Sequence, residues 1–466
     1  MKQIVKVFTS FLAILFALVL LLAFACLKSL DKTPYQLTEF YKNELAELQR
    51  TPPPPPPPGI YGEDRLNAID TVQVGWSRVN LLPPFTTPIA IDAKRGGKHF
   101  DGVHDSIYVR AFVFKQGNQK IAYVSADLLI IPPTVTKLFD SLLVKAGYDT
   151  RNIFFTATHT HTSIGAWHNS YVGELFAGQY DARVPQHIAD CISKAILQAE
   201  KNCQPAKIGY GEFPTSKLVF NRLVGDKGKV DSMLRVVKIE QDGGAKAAII
   251  TFAAHCTVFH QHLMELSGDW AGLMMTRLNK SGKIDFASFS AGAVGSHGPY
   301  EATKFQEDEA KYMAGHVGEV VEANFDSIPV YRITHIMMTF APFLMREPQW
   351  RINSYFTIRP WLFKKLFGDE PVYINKLQLG NIVFEGTPCD FSGELVGPID
   401  SLAKSKNLHL LVTSFNGGYM GYVTDTKWYD MNAYETRTMG WFGLGNGDYM
   451  SEVMERLIAP VGDIKN

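Results

Sequence analysis

Apolar and polar positions along the chain fall into three successive patterns. From Val7 to Leu27 no charged residue interrupts a run of 21 positions, which is bounded by Lys6 and Lys28. At about 1.5 Å per helical residue, such a run crosses a hydrocarbon core of roughly 30 Å. Polar and charged residues with helical spacing follow, and they end in seven consecutive prolines, Pro52–Pro58. From Gly59 to the end, short apolar runs rich in β-branched and aromatic residues alternate with longer stretches whose apolar positions recur every three or four residues. That alternation predicts a mixed α/β domain. The expected strands are Ile121–Ile131, Ile153–Ala157, Ala247–Ala253, Ile382–Glu385 and Leu408–Thr413, and the expected helices include Arg183–Lys201 and Thr303–Asn324.

The first pattern has two readings. A secretory signal has an apolar region of about 7–15 residues and a small-residue cleavage site. Ala23-Phe24-Ala25 supplies such a site, with Cys26 after it. The length of the run favours an uncleaved anchor, so residues 1–30 are assigned to a single membrane-spanning helix, with a signal peptide as the alternative. Lys2, Lys6 and the amino terminus outweigh Lys28 and Lys32, which places the remainder outside the cytosol, periplasmic or extracellular. Residues 31–58 then form a juxtamembrane segment and a polyproline linker. Extended at about 3.1 Å per residue, the linker is expected to lift residues 59–466 off the membrane.

Composition narrows the picture in two places. Lysine plus arginine equals aspartate plus glutamate at 46 each, so there is no basic excess of the kind that points to nucleic acid. Five scattered cysteines make no disulfide scaffold and no CxxC zinc pair. Bridges within Cys191/Cys203 or Cys256/Cys389 stay open, beside the plainer reading of buried thiols.

Candidate chemistry collects where apolar runs end. Phe154–Ala157 runs into His159 and His161, whose i, i+2 spacing puts both rings on one face of an extended chain. Thr251–Ala254 runs into His255, with His260 and His262 beyond. Phe384–Pro388 leads to Asp390, and the stretch after Leu408–Thr413 leads to Tyr419–Thr424. In α/β sheets such strand ends can meet at one site. Two histidines and a carboxylate are a ligand set of catalytic zinc, which keeps a position open for water or substrate. A hydrogen-bonded polar group at a strand end is the plain alternative for each residue alone.

Asp70–Asn80, Thr156–Ser163, Phe220-Asn221-Arg222 with Gly228–Asp231, Phe252–Thr257 with Ser267–Gly272, and Tyr422–Tyr434 together resemble the neutral, non-lysosomal ceramidase family, in the same order over nearly all of residues 70–450. The resemblance implies a zinc-dependent amidohydrolase that cleaves ceramide, or a related N-acyl lipid at a membrane surface, to a fatty acid and an amine. It implies one zinc per chain, held by His159, His255, Asp390 and Tyr422. It also implies that His161 and Arg222 hold the substrate carbonyl and its developing oxyanion, and that Tyr434 is a second active-site tyrosine.

This sequence departs from the family's pattern in three ways. Asp390 stands where the family usually has glutamate, a shorter carboxylate that needs its backbone closer to the metal. In Gly292-Ala293-Val294-Gly295-Ser296-His297, glycine occupies the place of the family's catalytic serine and Ser296 follows one position later. The family's C-terminal immunoglobulin-like domain is not expected before Asn466. The sequence therefore leaves two rivals open, a zinc amidase or esterase on a non-sphingolipid substrate and a catalytically inactive lipid-binding homologue. Ser296 stays a catalytic candidate only if the loop shifts its register by one residue.

Overall fold

The computed structural model describes residues 2–50, 71–91, 95, 97–215, 217–259, 263–300 and 305–459. The polyproline run, His260, His262 and the first residues of the expected 303–324 helix lie outside them. Among the described residues, twelve longer strands form two sheets. The first has eight strands: β1 (Gln73–Asn80), β2 (Tyr108–Gln116), β3 (Gln119–Ala126), β4 (Ile153–Ala157), β5 (Gln204–Pro214), β6 (Met233–Gln241), β7 (Lys246–Phe252) and β8 (Phe286–Ala291). Their spatial order is β8-β7-β6-β5-β1-β2-β3-β4. The second sheet orders β9 (Ile336–Pro342), β10 (Tyr373–Leu379), β11 (Ile382–Thr387) and β12 (His409–Ser414) consecutively. Neighbouring strands run antiparallel except β7/β8, β3/β4 and β11/β12, which are parallel.

Period-two alternation decides which face of each strand meets which layer. In β3, Ile121 and Tyr123 point between the sheets, whereas Ala122, Val124 and Ala126 point to the helical side. In β7, Ala247 and Ile249 face the second sheet, while Ala248, Ile250 and Phe252 face helices. The second sheet answers with Leu377, Leu379, Ile382, Phe384 and Leu411. Burying each such side chain contributes about 1.5–3 kcal/mol, so the faces cannot be exchanged without losing a whole layer.

Helices cover both outer faces. Over the first sheet lie α3 (Pro133–Leu143), α5 (Arg183–Lys201), α6 (Asp269–Lys280) and α7 (Gln306–Asn324); over the second lie α9 (Val396–Ser405) and α10 (Asn446–Ile458). The result is a four-layer α/β/β/α sandwich, the expected mixed α/β class. In α5, Val184, Ile188, Cys191, Ile192, Ala195, Ile196 and Ala199 are the buried stripe at helical spacing. All five cysteines are free thiols.

One expectation needs correction. The strand expected to reach Ile131 ends at Ala126. There the Asp127 carboxylate accepts the Tyr108 N–H at 2.8 Å and pairs with Arg110 at 2.8 Å, closing the ladder, and the apolar residues beyond it form a buried loop. The juxtamembrane segment is docked on the body up to residue 50, and the polyproline linker lies outside the described residues. An apolar helix, α1 (Lys2–Cys26), is long and apolar enough to cross a membrane. After it, Leu27–Ser29 pairs antiparallel with Phe356–Ile358, and α2 (Glu39–Arg50) buries Glu44 and Leu48 against the second sheet's helical layer. Tyr35 packs against Tyr449 at 5.5 Å between ring centroids. This segment belongs to the body because its aromatic residues have partners there.

Candidate metal centre and cleft

The centre sits where parallel strands end. His159 lies two residues beyond β4, His255 three beyond β7 and Asp390 three beyond β11, and Tyr422 follows β12 after the loop 415–421. Side-chain bonds tie these ends together across the sheets. The Ser414 hydroxyl donates to the Gly292 carbonyl at 2.7 Å, and Thr156 donates to the Ser414 carbonyl at 3.3 Å.

His159 and His161 meet for a reason other than the extended face expected from their spacing. The strand has ended and His159 adopts a left-handed backbone (φ 62°), so a turn brings the two rings together at 4.9 Å with their Nε2 atoms 3.3 Å apart. Phe415, also left-handed (φ 68°), stacks on the His159 ring at 3.9 Å. Non-glycine residues occupy this region at a cost, and surroundings that over-determine the backbone hold them there.

Each histidine of the centre has its tautomer set from behind. His159 Nδ1 lies 2.7 Å from the Leu129 carbonyl and His255 Nδ1 lies 2.6 Å from the His297 carbonyl, so each Nδ1 carries the proton and donates it. Both Nε2 lone pairs therefore face the Asp390 Oδ1 atom, at 3.5 Å from His159 and 3.1 Å from His255. Burial, the largest cause, lowers His159 to about 3 and drives His161 and His255 well below the usual imidazole range, which removes the imidazolium alternative. Three buried acceptors facing one another call for a cation. His159, His255 and Asp390 form a group able to hold a metal ion.

The spacing fits zinc. Ligand bonds of about 2.0–2.1 Å in a tetrahedron put ligand atoms roughly 3.3–3.4 Å apart. The separations here are 3.1 and 3.5 Å to Asp390, and the Tyr422 hydroxyl lies 3.3 Å from His255 Nε2. Tyr419, which sequence reasoning had not assigned to the site, donates to Asp390 Oδ2 at 2.7 Å and orients the carboxylate. Burial raises the Asp390 pKa and pushes the Tyr419 and Tyr422 hydroxyls well up.

Arg222 reaches the centre from the Val219–Asn221 strand. Its Nη2 donates to the Tyr422 hydroxyl at 2.8 Å and its Nε to Glu435 at 3.0 Å. Glu435 is a second residue the sequence did not single out, and no local signal links it to an arginine 213 positions away. Tyr434 opens a single π-turn (Tyr434–Thr438), sets its ring 5.6 Å from Tyr422 and is 45% exposed. Such turns concentrate at functional sites. Burial raises its hydroxyl pKa to about 12.

Ser296 is kept out of both the cleft and the metal group. It is fully buried and its hydroxyl pairs with that of Ser392, while its carbonyl accepts the Arg222 N–H at 2.9 Å. Gly295 has a different use. A Cβ there would lie 2.3 Å from the Asp390 carbonyl oxygen, and its N–H donates to the Phe391 carbonyl at 2.8 Å. The short aspartate and the missing side chain at 295 are thus neighbours in space: the glycine allows the closer backbone that the aspartate needs.

Above the centre opens a cleft of about 720 Å³. His159, His161, Arg222, Tyr419, Tyr422 and Tyr434 line its floor, and Leu129, Ile130, Trp167, Phe176, Phe363, Phe367, Trp441 and Phe442 give it apolar walls. Two short helices flank it, α4 (Tyr171–Ala177) and α8 (Pro360–Phe367), which pack together.

Residues 95–298 match the family model described as neutral/alkaline non-lysosomal ceramidase, N-terminal. The neutral ceramidase of Pseudomonas aeruginosa is 26% identical over 172 residues, which are 34% of this chain and 26% of that protein. Neutral ceramidases A and B of Dictyostelium discoideum are 26% and 28% identical over 45% and 42% of this chain, and 32% and 29% of theirs. The matched segments thus span about a quarter to a third of the length of these relatives. Among solved structures, a ceramidase complexed with C2 superposes with a TM-score of 0.73 and the P. aeruginosa neutral ceramidase with 0.71. Each is 16% identical, over 83% of this chain and 74% of the other. Residues 95–298 are thus similar in sequence to the N-terminal part of neutral/alkaline non-lysosomal ceramidases, and the chain shares the fold of two solved ceramidases.

Proposed function

We propose that this protein is a zinc-dependent amidohydrolase that cleaves the amide bond of ceramide or a related N-acyl lipid, giving a fatty acid and an amine. The observation that carries the reading is the buried trio His159, His255 and Asp390, of which His159 opens onto the floor of an apolar cleft and the other two lie beneath it. The trio and the Tyr422 hydroxyl would hold one zinc per chain, which when bound would supply a water with a pKa near 7 and polarise the substrate carbonyl. Arg222, fixed by Glu435 and Tyr422, presents positive charge at the floor, where a carbonyl oxygen gains negative charge during attack. His161, neutral and beside His159, completes the polar side of that position. Tyr434 keeps its proton near neutral pH and serves as a hydroxyl donor on the leaving-amine side. The apolar walls exclude water and take the acyl chain.

The catalytic unit in this reading is residues 59–466. It stands outside the cytosol on the N-terminal helix, and protease added to whole cells removes it. The chemistry is tested on the metal-loaded protein with ceramides, other N-acyl amines and esters, products being identified by mass. Release of fatty acid and amine, together with one zinc by elemental analysis and loss of both with His159→Ala, is the expected result. Turnover indifferent to chelator in a zinc-free protein would sink it, and preference for soluble short-chain substrates would favour the amidase or esterase reading.

A further inference from the structure

The end of α1 is bolted to a wall of the cleft. The last carbonyls of a helix have no partner inside it. Here the Arg359 N–H donates to the Cys26 carbonyl at 2.7 Å, Arg359 Nε to Phe24 at 3.0 Å and the Trp361 indole to Ala25 at 3.2 Å. Lys28 pairs with Glu347, a cleft-lining residue, at 2.9 Å. Arg359 and Trp361 begin α8, whose Phe363 and Phe367 line the cleft. A helix is about 10 Å across, so the anchor's exit and the cleft wall are separated by roughly one helix thickness.

Among the described residues, the apolar side chains of α1 are left largely uncovered by the body: Leu21, Leu22 and Phe24 are 67%, 60% and 78% exposed, a surface that lipid would bury. A bilayer that takes them in has its surface at Cys26–Lys28, next to α8. The residues presented there are those that headgroup layers favour, large aromatics with basic neighbours. Tyr355, Phe356 and Trp361 are exposed, as are Lys364 and Lys365.

We propose that α8 and the adjoining Tyr355–Phe356 turn are seated in the headgroup layer of the bilayer that α1 crosses, so that the cleft mouth between α4 and α8 opens onto that bilayer. Lateral entry of an N-acyl lipid from the same leaflet rests on the proposed function; the membrane seat does not. In this arrangement the body lies against the membrane.

The seat is tested on the full chain in phosphatidylcholine vesicles containing lipid brominated near the headgroup. The anchor has no tryptophan, so fluorescence quenching reports the body alone. Quenching in the wild type that is largely lost in Trp361→Phe is expected. Equal quenching in both, or none in the wild type, overturns the seat. Lateral entry is tested with Trp361→Asp/Lys365→Glu on one N-acyl lipid, in vesicles and in detergent micelles. A loss of about tenfold or more in vesicles with unchanged micellar turnover is expected, and equal rates in both overturn it. Wild-type quenching without turnover in either medium would refute the substrate reading and leave the seat standing.

Discussion

The floor of the cleft and its rim are built on opposite principles. At and beneath the floor, His159, His255, Asp390 and Tyr422 are buried at the ends of core strands, and the His159 and His255 imidazoles are fixed by backbone carbonyls 2.6–2.7 Å behind them. At the rim, α4 and α8 are single short helices that leave Tyr171, Leu175 and Trp361 exposed. The floor also draws on both sheets, because His159 and His255 follow strands of the first and Asp390 and Tyr422 follow strands of the second. The first pair falls within the family match at residues 95–298 and the second beyond it. Chemistry that needs sub-ångström placement is carried by backbone with little freedom to move, whereas the apolar contact that admits a flexible chain is carried by elements that can adjust.

The contrast breaks most sharply at the ligands. His255→Ala and Asp390→Ala are expected to lose zinc together with turnover, by on the order of a thousandfold or more, or at least about 4 kcal/mol, checked by elemental analysis beside the assay. Zinc retained at one per chain in either variant would remove that residue from the ligand set. Arg222→Ala is expected to keep its zinc and lose about a hundredfold in kcat, as removal of an oxyanion donor does. A change confined to KM would move Arg222 from the reacting carbonyl to ground-state binding.

Gly295→Ala sharpens the comparison from behind the floor. Its methyl would overlap the Asp390 carbonyl, so zinc affinity is expected to fall about ten- to a hundredfold, and adding Asp390→Glu, which lengthens the carboxylate by one methylene, should recover part of it. Additive losses in the double variant would show that the two positions are uncoupled. Ser296→Ala touches only Ser392 and is expected to keep kcat within about tenfold, or 1.4 kcal/mol. Abolished turnover at full zinc content would show that the serine acts directly.

The smallest effect belongs to the docked N-terminal segment and should leave turnover unchanged. Glu44 on α2 accepts the Leu344 N–H at 2.8 Å, and burial raises its carboxyl to about 7, with Glu47 adding to the rise; the Tyr449 hydroxyl lies beside it. The docked state therefore holds a proton that an undocked chain releases near 4.3. That stabilisation is complete below about pH 4 and is lost as pH rises through about 7. The hydrogen-exchange protection factors of residues 39–50, taken relative to the intrinsic exchange rate at each pH, should fall across that window in the wild type and become independent of pH in Glu44→Gln.

Much of this was legible along the chain. The strands Ile153–Ala157 and β11, the helix Arg183–Lys201 and the apolar first segment follow from periodicity, because a period of two or 3.6 is a local property of a chain that must bury one face. That His159, His255, Asp390 and Tyr422 each follow such a strand was equally visible, since polar groups at the ends of buried runs stand out by position. Other features depended on contacts between distant residues. No local pattern shows that Glu435 pairs with Arg222, that Tyr419 orients Asp390, or that Ser296 turns inward to Ser392. The left-handed turn that joins His159 to His161 is held by Phe415, far away in sequence, and the juxtamembrane segment before the prolines is docked because Tyr449 and Phe356–Ile358 receive it. Sequence alone determined which residues had to be buried and in what rhythm. Which buried surfaces met, and therefore which side chains shared one centre, only the tertiary structure decided, because the free energy of packing belongs to pairs of surfaces.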